Sequence, residues 1–167
     1  MIETERLNLS RLSYEDSEFI LNLVNEPAFK KYIGDRGIRT LDDAKEYLRN
    51  GPIGSYECNG FGLYLVSRKN DQVPLGMCGL VKREQFEHPD LGFAFLKQHW
   101  ANGYAYESSR ATIEHARQDL GLTYVIAVAN ADNESSIKLL QKLGFRYEDM
   151  VCMPGETEEI CRYGLDI

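Results

Sequence analysis

Residues 91–116 constrain the fold of this chain more than any other segment. An apolar run over residues 91–96 has the length of a buried strand, and the turn at residues 100–105 (WANGYA) leads from it into a helical pattern. A turn of small residues at the start of a helix leaves several backbone N–H groups unpaired, with the positive end of the helix dipole behind them. The segment therefore predicts a strand, a tight turn and a helix that together form a phosphate site.

The strand after this helix indicates the kind of sheet. Residues 124–129 are apolar without interruption, and they follow a helix predicted over residues 105–120. An unbroken apolar strand after a crossover helix is typical of a parallel pair that is buried on both faces. The inward face of the helix is predicted to carry Ile113, Ala116 and Leu120.

The other elements predict a mixed sheet. Ser13 with Asp16, and Thr40 with Asp43, are signals for the start of a helix, and a further helix over residues 133–143 ends at Gly144. Further strands are predicted over residues 6–12, 61–67, 75–81, 145–153 and 158–166, and loops over residues 34–37 and 50–60. The predicted fold class is α/β: one mostly antiparallel sheet with a central parallel pair and helices on both faces, in a single domain over residues 1–167.

Composition excludes several classes of function. The 167 residues carry a net charge of -7, which argues against nucleic acid as a partner and mildly favours a cationic substrate. No apolar run approaches the roughly 20 residues that span a bilayer, and the first residues are charged, so we expect a cytoplasmic protein without a membrane partner. The four cysteines share no CxxC spacing, and three lie in apolar segments. We therefore expect buried free thiols and no metal site.

Three motifs together resemble a known family. Residues 100–105 resemble the pyrophosphate-binding signature of the GCN5-related N-acetyltransferases, the GNAT family, with tryptophan in the first place. Residues 133–137 (NESSI) with 142–145 (KLGF) resemble the second motif of the branch that acetylates the N-termini of ribosomal proteins, and residues 3–7 (ETERL) resemble its opening. The motifs occur in order, at family-like spacing, over essentially the whole chain.

The resemblance implies the acyl-CoA N-acyltransferase fold, in which the two central parallel strands part, and acetyl-CoA as co-substrate in the gap. Backbone N–H groups of the turn would bind the pyrophosphate, the strand edge would pair with the pantetheine arm, and an amide side chain would hold a carbonyl. The residues at these places are Ala101, Asn102, Gly103, Tyr104, Ala105 and Tyr106 in the turn, Phe93, Ala94 and Phe95 in the strand, and Asn133. A mononucleotide P-loop and a Rossmann site are disfavoured because GxxxxGK and GxGxxG are missing.

The implied reaction is direct attack of a neutral amine on the thioester, which needs a base, an N–H donor and an acid. Asp90 ranks first as the base, because the family often carries a glutamate there; Glu156 is second, and Glu87 and His88 are weaker. The alternative for each carboxylate is a solvated turn residue. The family's usual acid is a tyrosine at the place that Leu140 occupies here, so the resemblance leaves Ser136 as the acid. The alternative role of Ser136 is to position the cofactor from the first helical turn.

The acceptor is less constrained by the sequence. Its pocket is expected from loops over residues 30–39, 51–60 and 153–159, which mix charges and aromatic residues. By resemblance the first expectation is a protein or peptide N-terminal amine. The alternatives are a small amine of the polyamine or aminoglycoside type, or a non-catalytic regulator that binds acetyl-CoA. A homodimer is also expected, because dimers are common among soluble enzymes.

Overall fold

One sheet of eight strands organises the molecule, and the computed structural model describes residues 1–167. The strands are β1 (Ile2–Glu3), β2 (Leu7–Arg11), β3 (Leu63–Arg68), β4 (Pro74–Val81), β5 (Asp90–Phe95), β6 (Tyr124–Ala129), β7 (Arg146–Cys152) and β8 (Glu159–Asp166). They lie in the order β1-β2-β3-β4-β5-β6-β8-β7. Only β5 and β6 are parallel, which confirms the predicted mixed sheet with one central parallel pair.

Six α-helices pack around the sheet, and three of them begin or end at residues that the sequence signals predict. The helices are α1 (Ser17–Val24), α2 (Pro27–Tyr32), α3 (Leu41–Leu48), α4 (Gly54–Asn59), α5 (Tyr104–Gln118) and α6 (Glu134–Lys142). Ser13 forms a capping box with Asp16 before α1, where a 3₁₀ turn precedes the helix, and Thr40 forms one with Asp43 before α3. Gly144 follows α6 with φ +98°, a conformation that favours glycine.

The predicted loop over residues 50–60 is wrong, because most of it is helical. A π-helical turn (Arg49–Ile53) continues α3 and leads directly into α4. The glycines of this segment have low helix propensity, but Pro52 and Tyr56 are buried, and this tertiary burial outweighs propensity. Helix α2, which the sequence analysis did not predict, begins with Pro27 at its first turn and buries Phe29.

The inward face of α5 differs from the prediction. Ala116 is fully buried, but Ile113 and Leu120 are only half-buried and pack at the edge of the core. The rest of the buried face is mainly small and polar: Tyr104, Ser108, Ser109 and Thr112. These hydroxyl groups are satisfied locally, since Ser108 Oγ donates to the Tyr104 carbonyl at 2.8 Å and Cys78 Sγ lies 3.6 Å from Thr112 Oγ1. Small side chains let α5 pack closely on β4.

Two apolar clusters lie on the two faces of the sheet. Cys78 and Met77 are successive residues of β4 and point to opposite faces. Cys78 belongs to the larger cluster, with α5, and Met77 to a smaller one, with α1 and α3. Helices on both faces confirm the predicted layers. No helix is both long enough and apolar enough to cross a membrane.

The cysteine prediction is correct for two of the four residues. Cys78 and Cys161 are buried free thiols. Cys152 is exposed because it lies on β7, the edge strand of the sheet, and Cys58 is exposed near the end of α4. No group of three or more histidine, cysteine, aspartate or glutamate side chains is arranged to hold a metal ion.

Candidate active site

The parallel strands β5 and β6 touch at one end only. Their single register pair is Asp90 with Ile126, where the Ile126 N–H donates to the Pro89 carbonyl at 3.0 Å. Alternation along β5 directs the backbone of Phe93 away from β4 and toward β6, and alternation along β6 directs the backbone of Val128 toward β5. Because the two strands have already parted there, both residues present backbone N–H and C=O groups to an open gap.

The turn before α5 presents a row of unpaired N–H groups beside this gap. Gly103, the N-cap residue, has φ +79°, and Ala101 has φ +60°. The first N–H of the helix to find a protein acceptor is that of Glu107, which donates to the Gly103 carbonyl at 3.0 Å. The N–H groups of residues 101–106 have no acceptor within the protein. Backbone N–H groups gathered at a helix N-terminus form an anion site.

The N-terminal segment fastens this turn. Glu107 accepts hydrogen bonds from Thr4 Oγ1 at 2.6 Å, the Arg6 N–H at 2.9 Å and Arg6 Nε at 2.7 Å. Arg6 Nη1 also donates to the Asn102 carbonyl at 2.9 Å, and its guanidinium lies over the Tyr104 ring. Burial alone would raise the pKa of Glu107, but the bonds from Thr4 and Arg6 outweigh burial and lower it. The motif at residues 3–7 therefore has a structural role that sequence reasoning did not identify: it holds the turn.

A cleft of about 1730 Å³ runs from this turn across the gap to the opposite side of the sheet. It brings together every residue predicted for the cofactor, both leading candidates for the base and the candidate acid: Asp90, Phe93, Ala94, Phe95, the turn residues 101–106, Asn133, Ser136 and Glu156. Glu87 and His88 do not line the cleft, and His88 packs against the Tyr124 ring instead. All three loops expected around the acceptor contribute residues to its lining.

Asp90 is the buried carboxylate of the cleft. It is the first residue of β5, only 2% exposed, and its Oδ2 accepts a hydrogen bond from Arg83 Nε at 2.5 Å. It is therefore not a solvated turn residue. Burial raises the pKa of Asp90, although the charge of Arg83 and the hydrogen bond from it act in the opposite direction. Arg83 was missed at the sequence level, because a pairing between two residues seven positions apart in a loop and a strand follows no periodic pattern.

Asn133 and Ser136 lie at the start of α6, on the β6 side of the gap. Asn133 caps the helix, with Oδ1 accepting from the Ser136 N–H at 3.4 Å, and its amide nitrogen has no protein partner. Ser136 Oγ makes no hydrogen bond within the protein. Leu140 is 1% exposed and belongs to the core. The start of α6 therefore brings two serine hydroxyls to the cleft, of which Ser135 Oγ donates to Asn133 Oδ1 at 3.3 Å and Ser136 Oγ is free.

Glu156 is exposed in the turn between β7 and β8, at the rim of the cleft. Cys152 Sγ donates to the backbone carbonyl of Glu156 at 2.9 Å, and the Gln85 amide reaches Met153 Sδ at 3.8 Å. The turn thus lies against the loop that carries Arg83. On the opposite rim, the Asn130 amide donates to the Tyr32 carbonyl at 3.0 Å, so α2 closes over the end of β6.

Comparison with known proteins identifies a sequence family. The profile of the acetyltransferase (GNAT) domain matches residues 6–146, which is most of the chain. An uncharacterized N-acetyltransferase of Bacillus subtilis, YoaA, is 25% identical over 152 residues, which cover 90% of this chain and 85% of YoaA.

Solved structures share the fold. A ribosomal-protein-S5-alanine acetyltransferase from Vibrio fischeri superposes with a TM-score of 0.80 at 19% identity, covering 98% of this chain and 94% of the other. A spermidine N-acetyltransferase from Vibrio cholerae, solved with CoA and spermine, gives a TM-score of 0.81 at 17% identity, covering 98% and 96%. At these identities the two structures establish the shared architecture, and their acceptors differ from each other.

Proposed function

Since this chain belongs to the GNAT family of acetyl-CoA-dependent N-acetyltransferases, we propose that it acetylates the N-terminal α-amine of a protein or peptide. The observation that carries this proposal is the character of the cleft at the end away from the N–H turn. There Arg36 and Arg83 both line the cleft, beside Tyr47. A polyamine is a polycation, and two guanidinium groups would repel it. A peptide N-terminus carries a single amine, so the barrier that it meets is smaller.

The gap and the turn suit acetyl-CoA in shape and in donor chemistry. We propose that the N–H groups of residues 101–106 hold the pyrophosphate, since they have no other partner. The edge of β5 at Phe93, Ala94 and Phe95 would pair with the amides of the pantetheine arm, and the Asn133 amide would donate to a carbonyl. When bound, acetyl-CoA supplies an acetyl group activated as a thioester.

We propose Asp90 as the general base. The α-amine of a peptide, with an ordinary pKa of about 8, is mostly protonated at pH 7 and must lose a proton before it attacks. Asp90 Oδ2 is held by Arg83, whereas Oδ1 accepts no hydrogen bond and is not fully enclosed. One oxygen therefore remains to take the proton, and the raised pKa makes it a stronger base than an ordinary carboxylate. Glu156, exposed at the rim, is the second candidate.

Two further groups complete the proposed chemistry. The N–H of Phe93 points into the gap and can donate to an acyl oxygen that gains negative charge. Ser136 Oγ, which is free of hydrogen bonds within the protein, can donate a proton to a departing sulfur. Leu140 offers no proton, and the neighbouring Ser135 Oγ already donates to Asn133 Oδ1 at 3.3 Å, so we propose Ser136 as the acid.

The acceptor is tested with a panel of amines. Purified protein and acetyl-CoA are incubated with peptides that have free N-termini, the same peptides with blocked N-termini, spermidine and an aminoglycoside, and acetylated products are located by fragment mass spectrometry. We expect acetylation at the α-amine of the free peptides, and none on their blocked counterparts. Turnover confined to spermidine or the aminoglycoside would contradict the peptide acceptor.

A further inference from the structure

Three side chains from separate elements line the acceptor end of the cleft. Arg36 lies in the loop between α2 and α3, Tyr47 on α3, and Arg83 in the connection between β4 and β5. All three line the cleft. The proposed reaction assigns no chemical step to any of them.

Both arginines have donor groups that the protein leaves unpaired. Arg83 is bound through Nε alone, to Asp90, so its two terminal nitrogens make no hydrogen bond. Arg36 makes neither a salt bridge nor a hydrogen bond with the protein. Neighbouring arginines differ: Arg39 is paired with Asp35 at 2.6 Å, and Arg49 with Glu46 at 2.7 Å. Arg36 and Arg83 therefore differ from these neighbours in having terminal nitrogens free to bind a ligand.

Tyr47 lines the same cleft as the two arginines, within electrostatic reach of both. Burial raises the pKa of Tyr47, and the positive charges of Arg36 and Arg83 both act to lower it. Both guanidinium groups are thus close enough to influence the hydroxyl. Tyr47 Oη makes no hydrogen bond within the protein, so it too is free to donate.

The charge of this group of side chains opposes that of the chain as a whole. The protein carries a net charge of -7, yet the one buried carboxylate among the residues that line the cleft is Asp90, which Arg83 already pairs, and the carboxylates of Glu156 and Glu158 are exposed at the rim. Glu26, another carboxylate of the cleft lining, accepts the Lys97 N–H at 3.3 Å. A guanidinium fork with free terminal nitrogens matches a carboxylate in geometry as well as in charge.

We propose that the acceptor carries a carboxylate near its reacting amine, and that Arg36 and Arg83 bind this carboxylate with the Tyr47 hydroxyl as an additional donor. The inference rests on the proposed function, because it specifies the acceptor of the same site. Arg83 joins the two parts: the residue that binds the acceptor carboxylate also holds Asp90, the proposed base. A carboxylate fixed at Arg83 brings the amine of the same molecule toward Asp90. The acceptor class is therefore an amine with an acidic neighbour, such as a peptide whose second residue is glutamate.

The test compares acceptors that differ in one carboxylate. One pair consists of peptides with the N-termini Ser-Glu and Ser-Gln, and a second pair consists of glutamate α-amide and glutaminamide, whose amines are matched. Values of kcat/KM are measured for the native protein, for Arg36→Gln and for Arg110→Gln. Arg110 is an exposed arginine of α5 that lies outside the cleft and makes no hydrogen bond or salt bridge. Arg110→Gln therefore makes the same change of charge elsewhere.

We expect the native protein to favour the carboxylate member by about tenfold or more, which is typical of one charge-assisted hydrogen bond. Arg36→Gln is expected to remove most of this preference through KM, with little change for the neutral member, and Arg110→Gln to keep it. Equal use of both members by the native protein, or an intact preference in Arg36→Gln, would overturn the inference.

The two acceptor pairs separate this inference from the proposed function. Acetylation of both peptides without preference leaves the peptide acceptor standing and overturns the carboxylate site. A preference for glutamate α-amide, with no acetylation of any peptide, supports the carboxylate site and overturns the peptide acceptor. Turnover of spermidine alone overturns both.

Discussion

Asp90 and Arg83 form the most constrained ion pair of the cleft. The carboxylate is 2% exposed, whereas the arginine side chain keeps 28% of its surface in contact with solvent. Burial favours the protonated acid, and the guanidinium favours the anion. Burial is the larger effect, so the pKa of Asp90 is raised above its ordinary value while the residue keeps a fixed partner. Such a carboxylate is a stronger base than an ordinary solvated one.

Asp90→Asn tests the base. As pH falls through the pKa of Asp90, the carboxylate is protonated and can no longer accept the proton of the amine. The native enzyme should therefore lose kcat/KM toward low pH, at a higher pH than an ordinary carboxylate would give. Asp90→Asn should lower kcat by about a hundredfold or more and remove this acid limb. The measurement is a pH profile of kcat/KM with a peptide acceptor. The titration of the peptide's own amine also contributes to this profile, and it should be the same for the native protein and the variant.

Glu156→Gln is the matched comparison for this profile. It makes the same chemical change at the exposed rim of the cleft, and we expect it to retain the acid limb. If Glu156→Gln loses the limb and Asp90→Asn keeps it, the base is Glu156 and the role of Asp90 is structural.

At the scale of elements, two of the sequence motifs are in contact at the turn that begins α5: residues 100–105 form the turn, and residues 3–7 hold it in place. Its N–H groups point outward because Gly103 and Ala101 have positive φ, and its position is fixed by Arg6, which bridges Asn102 and Glu107. A β-carbon added to Gly103 would lie 3.3 Å from Arg6 Nη2. Substitution there would therefore disturb both the conformation of the turn and the side chain that fastens it.

Gly103→Ala tests the turn. Alanine at this φ costs about 1–2 kcal/mol of backbone energy, and its β-carbon presses on Arg6. We expect the Kd for acetyl-CoA, measured by titration calorimetry, to rise about tenfold or more. Gly121→Ala is the control, since Gly121 has φ +65°, lies outside the cleft, and has open space around a β-carbon. It should lose comparable stability without a change in Kd. Equal Kd values for Gly103→Ala and the native protein would place the pyrophosphate elsewhere.

Elements with a strong local signal were predictable from the sequence, and those decided by tertiary contacts were not. The parallel strand β6 was predicted with its observed bounds, because its apolar run and the crossover helix before it allow few alternatives. The capping boxes before α1 and α3 involve residues close in sequence, so they too were predicted. Helix α4 was missed, because the burial of Tyr56 that stabilises it depends on distant partners such as Tyr64.

The same distinction applies to the site. The residues of the cofactor turn lie in one continuous segment with a recognisable pattern, and all of them line the cleft. Three separate elements contribute Arg36, Tyr47 and Arg83, and nothing in the local sequence of these residues indicates that they line the same cleft. The place of the turn in the cleft could therefore be predicted from sequence, whereas the placement of Arg36, Tyr47 and Arg83 required the fold.

At the scale of the whole molecule, the sheet provides one gap with a different chemistry at each end. The fold brings the N–H turn of α5, the parted edges of β5 and β6, and the start of α6 to one side. It brings the arginines of the α2–α3 loop and the β4–β5 connection to the other. An anionic donor and an amine acceptor can thus approach the parted strands from opposite directions. This arrangement favours direct transfer between two bound substrates.

The most direct test of this account is amide hydrogen exchange, resolved to single residues, with and without acetyl-CoA. The N–H groups of residues 101–106 have no acceptor in the protein and should exchange rapidly in its absence. Acetyl-CoA is expected to slow exchange at these residues and at Phe93 and Val128, with no effect on the hydrogen-bonded amides of α1. Tight binding of acetyl-CoA that leaves exchange at residues 101–106 unchanged would contradict the account.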